Sequence, residues 1–145
     1  MIKAQANAKL NIGLRIGTRR EDGFHPVDGI FQSVDMVDRL TLQRAEEDGI
    51  ASQSGGPVLD EMDNLAFRAV AAVRRIGHSE QPIQITVDKT IPVAAGLGGG
   101  SADAAAAMVM AGRFFGVRMD ALVSLAPSLG SDVPFCLRGG TARVS

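Results

Sequence analysis

The chain has 145 residues, 46% of them hydrophobic, and its 15 Lys and Arg nearly balance its 16 Asp and Glu, for a formal net charge of −1 at pH 7. A chain of this length is typical of one compact domain with a buried core. The balanced charge gives no electrostatic reason to expect nucleic acid or a membrane surface as a partner. The composition therefore predicts a single domain, numbered 1–145, and argues against both of those partners.

We expect a cytoplasmic protein. The longest apolar run, Ala104–Ala111, is far too short to span a bilayer, and the segment Met1–Asn7 lacks the continuous apolar core of a signal peptide. The single cysteine, Cys136, cannot form an internal disulfide. Its apolar neighbours in Val133–Leu137 favour a buried, inert thiol over a nucleophile.

The segment Lys9–Ile16 alternates apolar and polar residues, which predicts a half-buried strand. Its apolar residues would form the buried face: Leu10, Ile12, Leu14 and Ile16. The pleat would send Lys9 and Asn11 out together on the opposite face, where a rigid strand could carry a site.

Further strands are predicted along the chain from the same alternation. After a turn-rich, charged stretch at Thr18–Pro26, Gly29–Val34 and Asp38–Arg44 are typical of two separate strands. Glu46–Leu59 is predicted to be an acidic loop or weak strand, and Ile83–Val87 alternates again as a strand.

A helix is predicted over Leu65–Ile76, capped by Asp63 or Asn64 and ended by Gly77. An alanine-rich helix follows at Ala102–Ala111, and a third is predicted over Met119–Ala126.

The last quarter of the chain is predicted to return to strand. The third helix would end near Pro127, and Gly130–Pro134 would form a turn before a strand that contains Phe135 and Leu137. The segment Gly139–Ser145 is also typical of a strand. Interleaved strands and helices predict an α+β fold, with helices packed on one face of a mostly antiparallel sheet.

The segment Pro92–Ser101 joins a loop with almost no side chains to the start of the alanine-rich helix. Four of the five residues from Gly96 to Gly100 are glycine, so the backbone can adopt positive φ and several N–H groups can converge on one anion. The unpaired N–H groups and the dipole of the following helix would point at the same place. The pattern therefore predicts a phosphate-binding loop.

Two common glycine-rich loops are excluded. No Lys-Ser or Lys-Thr pair closes the run, so it is not the P-loop of nucleoside triphosphatases. Ser101 stands where the dinucleotide fingerprint needs its third glycine, and no acidic residue on a second strand follows at the required distance. The remaining alternatives are a different phosphate-binding loop and a flexible turn that only caps the helix.

Four motifs occur in an order that resembles the GHMP kinases: Ala8–Asn11, Asp22–His25, Pro92–Ser101 and Gly130–Pro134. The first two are similar to members that phosphorylate a hydroxyl of 4-diphosphocytidyl-2-C-methyl-D-erythritol in non-mevalonate isoprenoid biosynthesis, with ATP as the phosphate donor. The resemblance implies a two-layer α+β fold similar to the second domain of ribosomal protein S5.

The resemblance also implies a set of site residues. ATP would be bound by the loop and the residue after it: Pro92, Val93, Ala94, Ala95, Gly96, Leu97, Gly98, Gly99, Gly100, Ser101 and Ala102. The amides of Gly96–Ser101 would contact the triphosphate, and the Ser101 hydroxyl would lie near the phosphates or their Mg²⁺. Lys9 and Asp132 are the implied catalytic pair.

The implied substrate contacts are Asn11, Phe24 and His25, which would hold the cytidine and erythritol parts of the small-molecule substrate. His25 would hydrogen-bond the base edge while the aromatic ring stacks on the base. The family usually has Tyr where this chain has Phe24, so the stacking face is kept and the hydroxyl is lost.

A second departure follows Ser101, where the family commonly has Ser and Asn and this chain has Ala102 and Asp103. Asp103 is expected in the first turn of the helix. Stabilisation of the helix dipole is the favoured interpretation of this carboxylate, ahead of a role on Mg²⁺.

Phosphoryl transfer to an alcohol requires the hydroxyl to be aligned with the γ-phosphorus and the charge on the equatorial oxygens to be stabilised. The glycine loop would stabilise that charge, and Asp132 would accept the hydroxyl proton with Lys9 as its charge partner. Spacing alone favours a turn residue for Asp132 and a solvated lysine for Lys9, so the resemblance carries both assignments.

Several alternatives stay open at this point. Members of the family are about twice as long, so a C-terminal GHMP domain is expected to be absent from this chain, and the chain would be a truncated, non-catalytic nucleotide-binding module. The alcohol acceptor could instead be homoserine or mevalonate. An RNA-binding module is disfavoured by the near-neutral charge. An exposed apolar face at the domain boundary is also expected, and a homodimer that covers this face is one of the open alternatives.

Overall fold

The computed structural model describes residues 1–19, 23, 27–52 and 63–144. The elements in chain order are β1 (Ile2–Ile16), β2 (Val27–Arg44), β3 (Gly49–Ser52), α1 (Leu65–Ile76), β4 (Ile83–Asp88), α2 (Gly99–Phe115), α3 (Met119–Leu129), α4 (Val133–Arg138) and β5 (Thr141–Val144). The described part of the chain contains no helix long and apolar enough to cross a membrane.

The described strands form one sheet in the order β1-β2-β4-β3, with β5 paired beside β2. The long strand β2 pairs antiparallel with β1, with β4 along its second half and with β5 along its first half. Strands β3 and β4 are parallel. The helices pack against one face, so the predicted α+β class with a mostly antiparallel sheet is confirmed.

Alternation in β2 and β4 builds the strand side of the core. Leu40 lies opposite Val87 and Leu42 opposite Ile85, and all four side chains are buried. The polar neighbours of these residues in β2 point to the other face, because successive side chains in a strand alternate.

Helix α2 lies at the centre of the helical layer. Its alanines and Met108 are buried between the sheet and the other helices, and Gly112 lets α3 approach so closely that a Cβ there would lie 2.8 Å from Leu122 Cδ1. Small side chains allow this spacing without voids. The site described below is at the N-terminus of this central helix.

Helix α1 has the predicted bounds, with Asn64 rather than Asp63 as its N-cap. The side chain of Asn64 accepts hydrogen bonds from the N–H groups of Ala66 and Phe67, at 3.0 and 3.2 Å. Strand β4 extends one residue beyond the predicted Ile83–Val87.

Several predicted elements differ from the structure. Strand β1 begins at Ile2 rather than Lys9, and α2 runs from Gly99 to Phe115 rather than from Ala102 to Ala111. Gly29–Val34 and Asp38–Arg44 belong to one strand, β2, which continues through a register shift instead of breaking. Helix α3 does not end near Pro127 but continues to Leu129, so only two helical residues follow the proline.

The strand predicted around Phe135 and Leu137 is wrong. These residues lie in helix α4, where Pro134 occupies the first turn with its φ already set for a helix. Strand β5 follows within the segment predicted to be a strand at Gly139–Ser145.

The predicted burial of the apolar residues in β1 is also wrong. Lys9 is buried at 4% exposure, whereas the four apolar side chains are 36–67% exposed: Leu10, Ile12, Leu14 and Ile16. A register shift between Asn7 and Lys9 changes the face that the following residues present. In addition, every residue from Leu10 to Ile16 is exposed, so neither face of this part of the strand is covered. Leu10 and Ile12, with Ile30 opposite Ile12, form an exposed apolar strand face.

Candidate active site

The glycine loop runs from Pro92 to Gly98, and helix α2 begins directly after it at Gly99. Gly98 is the N-cap of the helix with φ +69°, and Gly96 also has positive φ at +75°. Ala94 adopts φ +60°, a conformation that is rare for a residue with a side chain and that concentrates at functional sites. The last residues of the predicted loop, Gly99–Ser101, therefore form the first helical turn.

Gly98 packs against Lys9 of strand β1. A Cβ at this position would lie 2.9 Å from both Cγ and Cε of Lys9, so only glycine fits. The main-chain N–H of Lys9 donates to the carbonyl of Leu97 at 2.9 Å. The C-terminal end of the loop is thus fixed to the strand that carries Lys9.

The ammonium of Lys9 is buried and is paired with polar, charged and aromatic partners. It donates to Asn11 Oδ1 at 2.7 Å, pairs with Asp132 Oδ2 at 3.0 Å and lies 4.6 Å from the centroid of the Phe31 ring. Burying a lysine is costly unless its charge is paired and hydrogen-bonded, and this arrangement supplies both. The structure therefore brings together Lys9, Asn11 and Asp132 beside the glycine loop.

Asp132 stands at the N-terminus of α4, and its side chain makes no capping hydrogen bond to that helix. The carboxylate keeps 29% of its surface exposed while it pairs with Lys9. This geometry differs from the alternative in which Asp132 bonds its own turn. The carboxylate is oriented by an ammonium and is open to a ligand.

A cavity of about 480 Å³ lies beside the loop. It is lined by Ser52, Asp63, Asn64, Leu65, Ala66, Val87, Lys89, Asp103 and every residue from Pro92 to Ser101. Its size is typical of a site for a small organic ligand, and it combines apolar walls with main-chain N–H groups. Ala102 is buried beneath the helix surface and is not part of the lining.

Two buried acids, Asp38 and Asp103, and the partly exposed Lys89 form a charged cluster at the base of the loop. Sequence reasoning did not identify Asp38 or Lys89. The ammonium of Lys89 bridges Asp38 Oδ2 at 2.5 Å and Asp103 Oδ2 at 2.8 Å. The other oxygen of Asp38 accepts from the N–H groups of Thr90 and Ile91. Neither residue belongs to a local motif, because the contact joins parts of the chain that are far apart in sequence.

The expectation that Asp103 lies in the first turn of the helix is wrong. Because α2 begins at Gly99, Asp103 lies in the second turn, and its partner is Lys89 rather than the helix N-terminus. Its Oδ1 atom is buried and has no hydrogen-bond partner among the described residues.

Burial shifts the pKa of each acid in the cluster, with different outcomes. For Asp103, burial dominates the Lys89 contact and raises the pKa to about 7, helped by the nearby charge of Asp38. Burial acts in the same direction on Asp38, but the hydrogen bonds from Lys89, Ile91 and Thr90 together outweigh it and lower its pKa. Ionised Asp38 is thus the main charge partner of Lys89 near neutral pH.

The remaining predicted residues have different outcomes. Phe24 and His25 lie outside the described residues. Phe31, which sequence reasoning missed, packs edge-to-face on Phe135 with ring centroids 5.3 Å apart. Cys136 is half-buried rather than buried as predicted. Burial, followed by the charge of Asp132, raises the pKa of its thiol to about 11, which agrees with the expected inert thiol.

Comparisons with known proteins connect this geometry to a family. The chain is 43% identical over 141 residues to a 4-diphosphocytidyl-2-C-methyl-D-erythritol kinase of Enterococcus faecalis, covering 95% of this chain and 50% of the relative. It is 45% identical over 140 residues to the kinase of the same name from Moorella thermoacetica, covering 94% and 48%. The chain thus spans about half the length of the curated relatives it matches.

Comparison with solved structures also finds similarity to kinases. The crystal structure of a 4-(cytidine 5'-diphospho)-2C-methyl-D-erythritol kinase superposes with a TM-score of 0.82 at 36% identity, over 99% of this chain and 51% of that one. A mevalonate kinase from Methanococcus jannaschii superposes with a TM-score of 0.72 at 10% identity, over 99% and 53%, and shares the fold. The expected likeness to the second domain of ribosomal protein S5 is confirmed, since it is the fold of this part of these kinases.

The family model described as "GHMP kinases N terminal domain" matches residues 64–140. This range starts at the N-cap of α1 and includes the whole glycine loop and Asp132. It covers more than half of the chain, and we conclude that the chain belongs to the GHMP kinase family through its N-terminal domain.

Proposed function

We propose that this chain binds ATP and is the nucleotide-binding part of a kinase that phosphorylates a hydroxyl of 4-diphosphocytidyl-2-C-methyl-D-erythritol, a step of non-mevalonate isoprenoid biosynthesis. The observation that carries the proposal is the Lys9–Asp132 ion pair packed against Gly98 of the loop that lines the cavity. The names of the relatives at 41–45% identity support this choice of acceptor.

The loop supports the triphosphate part of the proposal. Main-chain N–H groups from Gly96 to Ser101 and the N-terminus of α2 provide donors and a positive dipole end for phosphate oxygens. Groups held in place before the reaction stabilise the charge on the transferring phosphoryl without reorganising.

Asp132 and Lys9 carry out the proton transfer and the alignment. Asp132 accepts the hydroxyl proton as the substrate oxygen forms its bond to the γ-phosphorus and the bond from that phosphorus to the bridging oxygen of ADP breaks. Lys9, held by Asn11 and Asp132, keeps the carboxylate in place and interacts with the hydroxyl oxygen. Asn11, Phe24 and His25 are proposed to contact the rest of the substrate.

Mg²⁺ fits the donor set of the site. Ser101 lines the cavity and offers a hydroxyl oxygen, a ligand type that Mg²⁺ accepts. When bound, Mg²⁺ would neutralise charge on the phosphates.

The test combines binding and turnover on this chain. Isothermal titration calorimetry with ATP should show binding, and ATP, Mg²⁺ and the cytidine-linked substrate together should yield ADP and a product heavier by one phosphoryl group. Lys9→Met should abolish turnover, whereas Lys3→Met, on the same strand but exposed, should not. Turnover only with homoserine or mevalonate would contradict the acceptor. Binding without turnover would favour a non-catalytic nucleotide-binding module, and absence of binding would refute the proposal.

A further inference from the structure

Asp38 is a fully buried carboxylate in β2 that contacts the start of the glycine loop. Its Oδ1 atom accepts hydrogen bonds from Thr90 N–H at 2.5 Å and Ile91 N–H at 2.8 Å, directly before Pro92. Its Oδ2 atom pairs with the ammonium of Lys89. Both oxygens are therefore directed at the junction between β4 and the loop.

Lys89 extends this contact across the base of the loop. Its ammonium also pairs with Asp103 in α2, the helix that follows the loop. Asp38 thus connects the segment before the loop to the helix after it, while the hydrogen bond from Lys9 to Leu97 fixes the C-terminal end of the loop.

Asp38 also determines where Lys89 places its charge. The ammonium lies close enough to α2 that a Cβ at Gly99 would be 3.3 Å from it, and Lys89 is part of the cavity lining. Asp38 itself is absent from that lining. Any effect of Asp38 on a ligand must therefore pass through its neighbours.

We propose that Asp38 is a positioning residue of the nucleotide site, which holds the base of the glycine loop and Lys89 in their ligand-binding arrangement before a nucleotide is present. The inference rests on the proposed nucleotide function. A loop with so many glycines loses much conformational entropy when it becomes ordered. Contacts that order the loop beforehand remove that cost from binding and so raise affinity.

Asp48 provides a matched control at the opposite end of β4. Its carboxylate accepts from Ile83 N–H at 2.9 Å and pairs with Arg74 at 2.8 Å, so it combines the same two kinds of contact. It does not line the cavity. A substitution at Asp48 perturbs β4 without reaching the loop.

The first experiment measures ATP affinity by calorimetry for the unmodified chain, Asp38→Asn and Asp48→Asn, with each folded fraction determined by circular dichroism. Loss of the carboxylate charge at Asp38 should weaken binding by about ten-fold or more, the loss expected for one charge-assisted hydrogen bond. The Asp48 variant should bind within about two-fold of the unmodified chain. Equal affinity of the Asp38 variant and the unmodified chain, or equal losses in both variants, would overturn the proposal.

A second measurement needs no variant and no nucleotide binding. Amide hydrogen exchange of the free chain should show Thr90 and Ile91 protected as strongly as Ile85 and Val87 in β4. Rapid exchange at Thr90 and Ile91 would overturn the proposal even if Asp38→Asn failed to fold. A chain that shows this protection but does not bind ATP would instead refute the proposed function, so the two failures can be told apart.

Discussion

The backbone of Gly98 lies directly against the aliphatic part of the Lys9 side chain, where a Cβ would come within 2.9 Å of two of its carbons. The same lysine carries the ammonium that pairs with Asp132. The glycine loop and the ion pair therefore share one contact, and a change at Gly98 reaches both.

A Gly98→Ala substitution should disturb nucleotide binding and stability together. The left-handed φ of +69° costs about 1–2 kcal/mol for an alanine, and the clash with Lys9 adds to it. Displaced loop amides should weaken ATP binding by about 10- to 100-fold. Urea unfolding and calorimetry measure the two effects.

Gly116→Ala is the control for the conformational part of that effect. Gly116 has φ +72°, no atom lies within 4 Å of its missing Cβ, and it stands at the far end of α2. This variant should lose about 1–2 kcal/mol of stability and bind ATP normally. Normal ATP binding by Gly98→Ala would show that the contact between Gly98 and Lys9 is not needed for nucleotide binding.

An Asp132→Asn substitution should lower kcat by about 10²- to 10⁴-fold, the range typical of a lost general base. ATP affinity should stay within about two-fold, because Asp132 does not line the cavity. Steady-state ADP release and calorimetry test this pair of results, and Asp120→Asn, an exposed acid on α3, is the control. An unchanged kcat would remove Asp132 from the role of base.

The pKa of Asp103, raised to about 7, predicts a pH dependence of stability. The folded state binds more protons than the unfolded state between about pH 4 and pH 7, so the free energy of unfolding falls as the pH rises through this range. Below that range the carboxyl is protonated in both states, so its burial as a charged group costs no stability. Above that range the carboxyl is ionised in both states, and the folded state carries the full cost of burying the charge.

An Asp103→Asn variant isolates this effect, because its amide has a similar size and does not titrate. Between pH 4.5 and 8, the unmodified chain should lose of the order of 1–4 kcal/mol more stability than the variant. Urea titrations at several pH values give the difference. Parallel curves for the two proteins would mean that Asp103 has an ordinary pKa.

Two isoleucines on strands test the corrected burial of β1. Ile12 is 50% exposed and Ile85 is fully buried. Ile85→Ala should therefore cost about 2–5 kcal/mol, whereas Ile12→Ala should cost less than about 1 kcal/mol. Similar losses measured by urea unfolding would mean that the apolar strand face is covered in solution, for example by a second copy of the chain.

Sequence patterns predicted elements whose signals are local. Helix α1 has a capping residue, a regular apolar face and a glycine stop, so its bounds were predicted correctly. The glycine loop before α2 could also be recognised from the sequence, because an ordinary turn seldom needs four glycines in five residues. The association of Lys9 with Asp132 came from the family resemblance, since spacing alone favoured structural roles for both.

Features that depend on tertiary contacts could not be predicted. The register shift in β1 depends on pairing with β2, and it reversed the predicted face of Leu10 and Ile12. The segment around Phe135 was predicted to be a strand after a turn, but Pro134 lies in the first turn of helix α4. Asp38 and Lys89 had no motif because their contact joins β2 to the residue after β4, 51 positions further along the chain.

The pairing of β5 with the first half of β2 affects how the protein is made on the ribosome. Lys9 emerges from the ribosome well before its acid partner Asp132 and before β5. Until these segments emerge, the nascent chain has β1 and β2 but neither the ion pair nor the strand that pairs with the first half of β2. The site therefore cannot assemble during synthesis before residues 132–144 have left the ribosome.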